Sequence, residues 1–313
     1  LTMHNSISAI ILNLNKANEI CQTLRTVCEQ TIPFDEIIII DDASTDDSII
    51  LINNFIQNVP NARLIQNKNR KGIVYGCNLG LSESTSEFVY LISAEDTYSL
   101  RIVEHAKRLL KLCPDAQMLC GNLSQRKNGK TVKRLTLPFH QREGYISEEQ
   151  LHIALKKRIF TFFGGANIIR KNSILEINGF NESLRWHSDW FIYLLIGLRS
   201  RIALIPDELR SEVLSDDQYS RGMYHWKEQK SVIKSLILTL KNDHPTEFLL
   251  FRQYALLPVY NLKILGLVLW DRELRSFLTR KLMLRCMFFG ALKRIGQLIP
   301  YKLHYSLRSI IRI

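Results

Sequence analysis

A chain of 313 residues that is 46% hydrophobic carries enough apolar material for a sizeable core, which excludes a disordered protein. Its formal net charge of +12 suggests an anionic partner such as nucleic acid, a membrane surface or a phosphorylated ligand. From Asp271 onward, ten Lys or Arg face only Asp271 and Glu273, so most of the excess belongs to the C-terminal segment.

The first 120 residues alternate between two periods. Residues 8–14, 36–40, 62–66 and 88–92 read as strands, and 19–28, 47–57 and 74–82 as amphipathic helices. Strands separated by such helices imply parallel pairing through right-handed crossovers, hence a three-layer α/β domain. The unbroken apolar run of "EIIIIDD" fits a strand covered on both faces. Residues 123–145 turn polar and basic and read as a flap, with Asn128-Gly129 as its hairpin turn. Beyond them come the strand-like "ANIIR", a long amphipathic helix over 226–240, and further helices.

Three stretches carry candidate chemistry. In "IIIIDDASTDDS", Asp46 and Asp47 read as helix caps. Asp41 and Asp42 precede the turn and can accept hydrogen bonds from a base N–H or from ribose hydroxyls. In "SAEDTYS", paired acids at a strand exit suit a divalent cation on a diphosphate, because Mg²⁺ takes one or two carboxylates and fills its other sites with phosphate and water. Asp96 is the expected metal ligand. In "LRWHSDWFIYLLIG", Asp189 either caps the following helix or, desolvated by Trp186 and Trp190, serves as a general base.

Six cysteines lack zinc-type spacing, consistent with reduced, buried thiols. No basic-then-apolar leader precedes the first strand, so a cytoplasmic location is expected. Residues 248–270 are interrupted by Arg252, Gln253, Asn261 and Lys263 and fall short of the roughly 20 apolar residues of a spanning helix. The basic, apolar C-terminal segment reads either as an amphipathic surface lying on the inner face of an anionic membrane or as helices packed on the protein with a solvated basic face.

Together, "LNLNKANEI", "IIIIDDASTDDS", "NRKGIVYGCNLGLS", "SAEDTYS", "FFGGANIIRKNSILEINGFNESLRWHSDW" and "DDQYSRGMY" resemble the family 2 glycosyltransferases of the nucleotide-diphospho-sugar transferase (GT-A) fold. The resemblance implies a three-layer, Rossmann-like α/β domain with a mixed, mostly parallel sheet over residues 6–220, followed by a helical basic region over 221–313. It implies an inverting hexosyltransferase that uses Mn²⁺ or Mg²⁺ and moves a sugar from a nucleotide-diphosphate donor to a saccharide or lipid-linked saccharide hydroxyl. Synthesis of a surface polysaccharide or glycoconjugate would be its setting. Asp189 matches the catalytic base. Asp41, Asp42, Asn15, Glu95, Asp96, Gly72, Asn78 and Arg221 fall on the donor side, Lys227 joining Arg221 as a phosphate contact. Asp96 falls on the metal, and Gly164, Gly165, Trp186 and His187 on the acceptor side.

Three departures concern the nucleotide more than the reaction. Leu12-Asn13-Leu14-Asn15 stands for the usual Pro-Thr-Tyr-Asn, Cys77 for a common Arg, and Ser93 for a common acid. A nucleotidyltransferase or a dinucleotide-dependent dehydrogenase would carry glycines after the first strand, and "LNLNKANE" has none. Nucleic-acid binding is not expected, because the basic residues cluster on an apolar segment. The alternative is a catalytically inactive nucleotide-sugar binding protein on the same fold.

Overall fold

The computed structural model describes residues 5–139, 141–214 and 219–298. They fall into two compact units divided between Arg221 and Gly222.

The first unit is built on ten strands: β1 (Ile7–Asn13), β2 (Glu36–Asp41), β3 (Ala62–Gln66), β4 (Phe88–Ser93), β5 (Thr97–Tyr98), β6 (Met118–Lys127), β7 (Lys130–Leu135), β8 (Gly144–Tyr145), β9 (Asn167–Arg170) and β10 (Ile202–Val213). Its helices are α1 (Ile20–Cys28), α2 (Ser48–Ile56), α3 (Ile73–Glu83), α4 (Ile102–Leu112), α5 (Glu148–Lys157), α6 (Lys171–Leu175) and α7 (Ser188–Arg199). The strands form one sheet in the order β3-β2-β1-β4-β9-β6-β10-β5, with β7 on β6 and β8 on β10. β3, β2, β1, β4, β6 and β10 share a direction, and β5, β7, β8 and β9 oppose them. This is the mixed, mostly parallel sheet that the family resemblance implies, and its parallel part is what the alternating periods predict. β2 is buried along its whole length, as a strand covered on both faces must be.

Chain order reverses at β1, so a crevice opens where the carboxyl ends of β1 and β4 diverge, the place where open α/β sheets bind ligands. The reversed strand β9 lies between β4 and β6, which brings the residues just before it, Gly164 and Gly165, to that same edge. The Tyr90 hydroxyl, on β4, donates to the Gly165 carbonyl at 2.7 Å.

The segment expected as a flap is a continuation of the sheet. β6 runs on to Lys127 and stays paired with β10 as far as Arg126 opposite Val213. The turn is the expected one: Asn128 and Gly129 have φ of 51° and 74°, the two left-handed positions that a two-residue hairpin requires.

The second unit is helical: α8 (Trp226–Asp243), α9 (Pro245–Tyr254), α10 (Leu262–Trp270) and α11 (Arg280–Leu298). Phe248 and Phe277 pack with ring centroids 5.7 Å apart, and Lys234 bridges Asp271 and Glu273 at 2.9 and 2.7 Å. Among the described residues, no helix is long and apolar enough to cross a membrane.

One packing feature is specific to small residues. A Cβ on Gly80 of α3 would lie 2.3 Å from Cγ2 of Ile10 on β1, and one on Gly76 would lie 3.2 Å from the Leu12 side chain. The missing side chains let α3 settle directly on the strand. Gly80→Ala is expected to destabilise the fold by about 1–3 kcal/mol, since overpacking outweighs the gain of at most about 1 kcal/mol in helix propensity. A lowered urea midpoint at unchanged m-value would check it.

Candidate active site

The first part of the site is a knot of hydrogen bonds at the ends of β1 and β2. Asp41 has no exposed surface. It accepts from Asn13 Nδ2 at 2.7 Å, from the Ser44 hydroxyl at 2.6 Å and from the Ser44 N–H at 2.9 Å. Asn15, in the left-handed region at φ 52°, joins the knot: its N–H donates to Ser44 Oγ at 2.9 Å and its Oδ1 accepts from the Thr45 N–H at 2.7 Å.

Asp42 faces the other way. It accepts from Asn67 Nδ2 at 3.0 Å, the Lys71 N–H at 2.7 Å and the Gly72 N–H at 2.8 Å. Gly72 precedes α3 with φ 94°, a conformation that favours glycine, and its N–H is directed at Asp42. A carboxylate offers about four acceptor positions, so Asp42 orders the loop before α3 and keeps one position open.

Beyond β4, Thr23 Oγ1 donates to the carbonyls of Ala94 and Asp96 at 2.9 and 2.7 Å, and the Ser93 N–H donates to the Tyr98 hydroxyl at 2.8 Å. The turn thus presents its two acids in opposite directions. Glu95 is part-exposed and pairs with Lys16 Nζ at 2.5 Å. Asp96 is wholly buried: its Oδ2 takes Arg210 Nε at 2.8 Å and Nη2 at 2.6 Å, and its Oδ1 takes the Val213 N–H at 2.7 Å. Burial pushes the Asp96 carboxyl up, against the pull of Arg210 and the Val213 N–H. The guanidinium stays charged beside Asp96.

Asp96 is the acid expected to bind a cation. Both of its oxygens are engaged and neither is reachable, whereas Glu95 of the same turn has accessible surface. Among the described residues, no group of three or more His, Cys, Asp or Glu is placed to hold a metal.

Asp189 sits in the first turn of α7. Its Oδ1 accepts the Trp190 N–H at 2.7 Å, and no donor among the described residues reaches its Oδ2. Its surface is only partly covered, yet it lies deep among other groups. Burial pushes its carboxyl above the ordinary range, opposed by the Trp190 N–H and by the charge of Arg210. Burial, and then the neighbouring Asp189 carboxylate, push the Cys77 thiol up. Trp186 is half-buried and His187 buried, and the Trp186 ring meets Tyr219 edge-on at 6.1 Å.

The two glycines have a reason that their sequence context hides. A Cβ on Gly164 would lie 2.9 Å from Asp189 Oδ2. On Gly165, whose φ is 66°, it would lie 2.7 Å from Arg210 Nη1 and 2.9 Å from Arg210 Cδ. Their bare backbone therefore admits Asp189 and Arg210, and Arg210 Nη1 also donates to the Gly164 carbonyl.

Asn78, expected on the donor side, is tied to the backbone of Phe180: Nδ2 donates to the Phe180 carbonyl and Oδ1 accepts the Phe180 N–H, both at 2.8 Å. Asp216, Asp217, Gln218 and the Arg221 side chain lie outside the described residues. Lys227 belongs to α8 of the second unit. Sequence reasoning missed Arg210. Its signal is a single Arg two positions from an acid on either side in "DELRSEV".

A model of the family described as "Glycosyl transferase family 2" matches residues 8–177. Glycosyltransferase GlyG of Streptococcus pneumoniae is 24% identical over 120 residues, 38% of this chain and 40% of that protein. An uncharacterized glycosyltransferase of Escherichia coli K12, YibD, is 24% identical over 176 residues, 56% of this chain and 51% of that protein. The chain thus spans about half or less of the curated relatives it matches. Among solved structures, S. aureus TarS 1–349 in complex with UDP-GlcNAc superposes with a TM-score of 0.63 at 14% identity, covering 90% of this chain and 84% of TarS. The mannosyltransferase PcManGT of Pyrobaculum calidifontis, in complex with GDP-Man and Mn²⁺, gives 0.50 at 18% identity over 74% of this chain and 63% of its own. These likenesses carry the GT-A fold.

Asn78→Ala is expected to cost about 1–3 kcal/mol of stability, because it leaves the Phe180 N–H and carbonyl without partners. A fall in the urea midpoint checks this.

Proposed function

Because the chain belongs to glycosyl transferase family 2, we propose that it transfers a sugar from a nucleoside-diphosphate donor to a hydroxyl acceptor with inversion, Asp189 acting as general base. The observation that carries this is the state of Asp189: one carboxylate oxygen is fixed by the Trp190 N–H, and the other faces the bare Gly164 backbone with no donor upon it among the described residues. The relatives' complexes with UDP-GlcNAc and with GDP-Man and Mn²⁺ support a nucleotide-sugar donor.

In this reading, the remaining acceptor position of Asp42 meets a base or ribose donor at the carboxyl ends of β1 and β2. Asp41 and Asn15 act indirectly, by fixing that turn. Glu95 is the residue to hold a divalent cation, for which one accessible carboxylate suffices when the diphosphate supplies the other oxygens. Such a cation, when bound, stabilises the charge developing on the departing diphosphate. Asp189 Oδ2 accepts the proton of the attacking hydroxyl as oxygen bonds to the anomeric carbon from the face opposite the diphosphate. The raised carboxyl helps here, since a stronger base takes the proton more readily.

The partner proposed for the second unit is an anionic membrane surface. On α11, Met283, Leu284, Met287 and Phe288 are exposed, beside Arg280 and Lys281, and the segment from Asp271 is strongly basic. Apolar contact plus roughly 1 kcal/mol per basic residue near the surface favours such a site. Flotation with vesicles containing phosphatidylglycerol, and none with pure phosphatidylcholine, is the expected result. Leu284→Glu with Phe288→Glu is expected to abolish it.

Release of UDP or GDP from a panel of their sugars with Mn²⁺ tests the transfer itself, water serving as acceptor where no saccharide is supplied. Asp189→Asn is expected to cut kcat about 10²- to 10⁴-fold and leave the Kd for the free diphosphate within threefold. A protein that binds diphosphate but releases none from any sugar would instead be the inactive binding module.

The same substitution carries a stability signature. A folded-state pKa raised above the unfolded value favours folding below the unfolded pKa, and that advantage is lost as pH rises through the folded pKa. The ionised carboxylate is therefore a burden at neutral pH, and Asp189→Asn is expected to raise Tm there. The gain should vanish in acid, as thermal melts across pH would show.

A further inference from the structure

We propose that Arg210 is a positioning residue for transfer, its guanidinium joining the acid turn after β4 to the Gly164-Gly165 backbone and thereby fixing where the free oxygen of Asp189 meets the acceptor. The proposal rests on the reading of Asp189 as the base.

Arg210 comes from β10 and reaches three parts of the site. Nε and Nη2 hold Asp96 Oδ2 at 2.8 and 2.6 Å, and Nη1 donates to the Gly164 carbonyl. Its stem lies where a Cβ on Gly165 would stand, 2.9 Å from Cδ. The Gly164 backbone in turn leaves Asp189 Oδ2 only 2.9 Å from its own absent Cβ. Arg210 and Asp189 thus grip one dipeptide from two sides.

Only a planar fork with donors on separate nitrogens can hold a carboxylate and a carbonyl at fixed angles. A lysine ammonium keeps the charge but loses that geometry. The Arg210 side chain is 13% exposed and that of Asp96 not at all. A buried ion pair is a poor source of stability compared with apolar packing, so fold stability alone gives no reason for this arrangement. Its third contact points to the loop under the base.

The test compares wild type, Arg210→Lys, Arg210→Met and Asp189→Asn in diphosphate release from UDP- and GDP-sugars with Mn²⁺, with calorimetric Kd for the free diphosphates and urea midpoints. Arg210→Lys is expected to fold, to keep diphosphate Kd and donor KM within threefold, and to lose kcat by about 10²-fold. Arg210→Met is expected to move the acid limb of the kcat–pH profile upward, because it removes the positive charge facing Asp189. Two other groups near Asp189, Cys77 from α3 and Tyr193 from α7, are pushed well above their ordinary values by burial and stay neutral through that limb.

If Asp189→Asn is silent while Arg210→Lys keeps kcat within threefold, the positioning role is overturned and the base reading stands. If the wild type releases no diphosphate from any sugar, both fall. Should Arg210→Lys fail to fold, Asp96→Asn, which keeps the shape and loosens the pair, takes its place. A selective loss of kcat there supports the proposal, and a second failure to fold overturns it, making the pair a core element.

Discussion

The buried pair of Arg210 and Asp96 is the constraint from which much of the site's shape follows. Removing a guanidinium and a carboxylate from water costs several kcal/mol for each ion, recovered only when every remaining lone pair and proton finds a partner. The Val213 N–H answers for the second oxygen of Asp96, and the Gly164 carbonyl answers for Arg210 Nη1. Those two partners dictate the rest. Gly165 must lack a Cβ for the arginine stem to pass, and Gly164 must lack one for the Asp189 carboxylate to approach.

Several carboxylates gather at one sheet edge, where their mutual repulsion would otherwise keep them protonated or push the edge apart. The fold handles them separately. Asp41 and Asp42 each accept three hydrogen bonds from backbone and side-chain donors, Asp96 takes a guanidinium, and Glu95 takes the Lys16 ammonium. Asp189 Oδ2 has no donor among the described residues. A desolvated carboxylate with a donor-free oxygen has capacity left to take a proton, which is why the state of Asp189 says more about chemistry than the acid-rich motifs do.

What the sequence made legible is what local periodicity controls. The run 37–40 is apolar without alternation, so it names a doubly covered strand, and Asn128-Gly129 names its own turn type. The parallel half of the sheet follows from strands spaced by helices. What stayed hidden depends on contacts between distant positions. Asp96 and Arg210 are 114 residues apart, so nothing near "SAED" says which of its acids turns inward. Asn78 and Phe180 are separated by 102 residues, and an asparagine within a helix looks the same whether it serves a ligand or a loop. Gly76 and Gly80 sit at helical spacing, but only the positions of Leu12 and Ile10 reveal that both face the sheet.

Capping and catalysis, the two readings that the residues around Asp189 leave open, need not exclude each other. A carboxylate in the first turn of a helix gains from the partial positive charge of the free amides there, and Oδ1 makes that use of the Trp190 N–H. A cap of this kind fixes the plane of the carboxylate, so the direction of Oδ2 is set before any acceptor arrives. Preorganisation of this sort removes a rotational search from the transfer step. Burial then raises proton affinity while the Trp190 N–H and Arg210 favour the ionised form, and these opposed effects are what the proposed role as general base calls for.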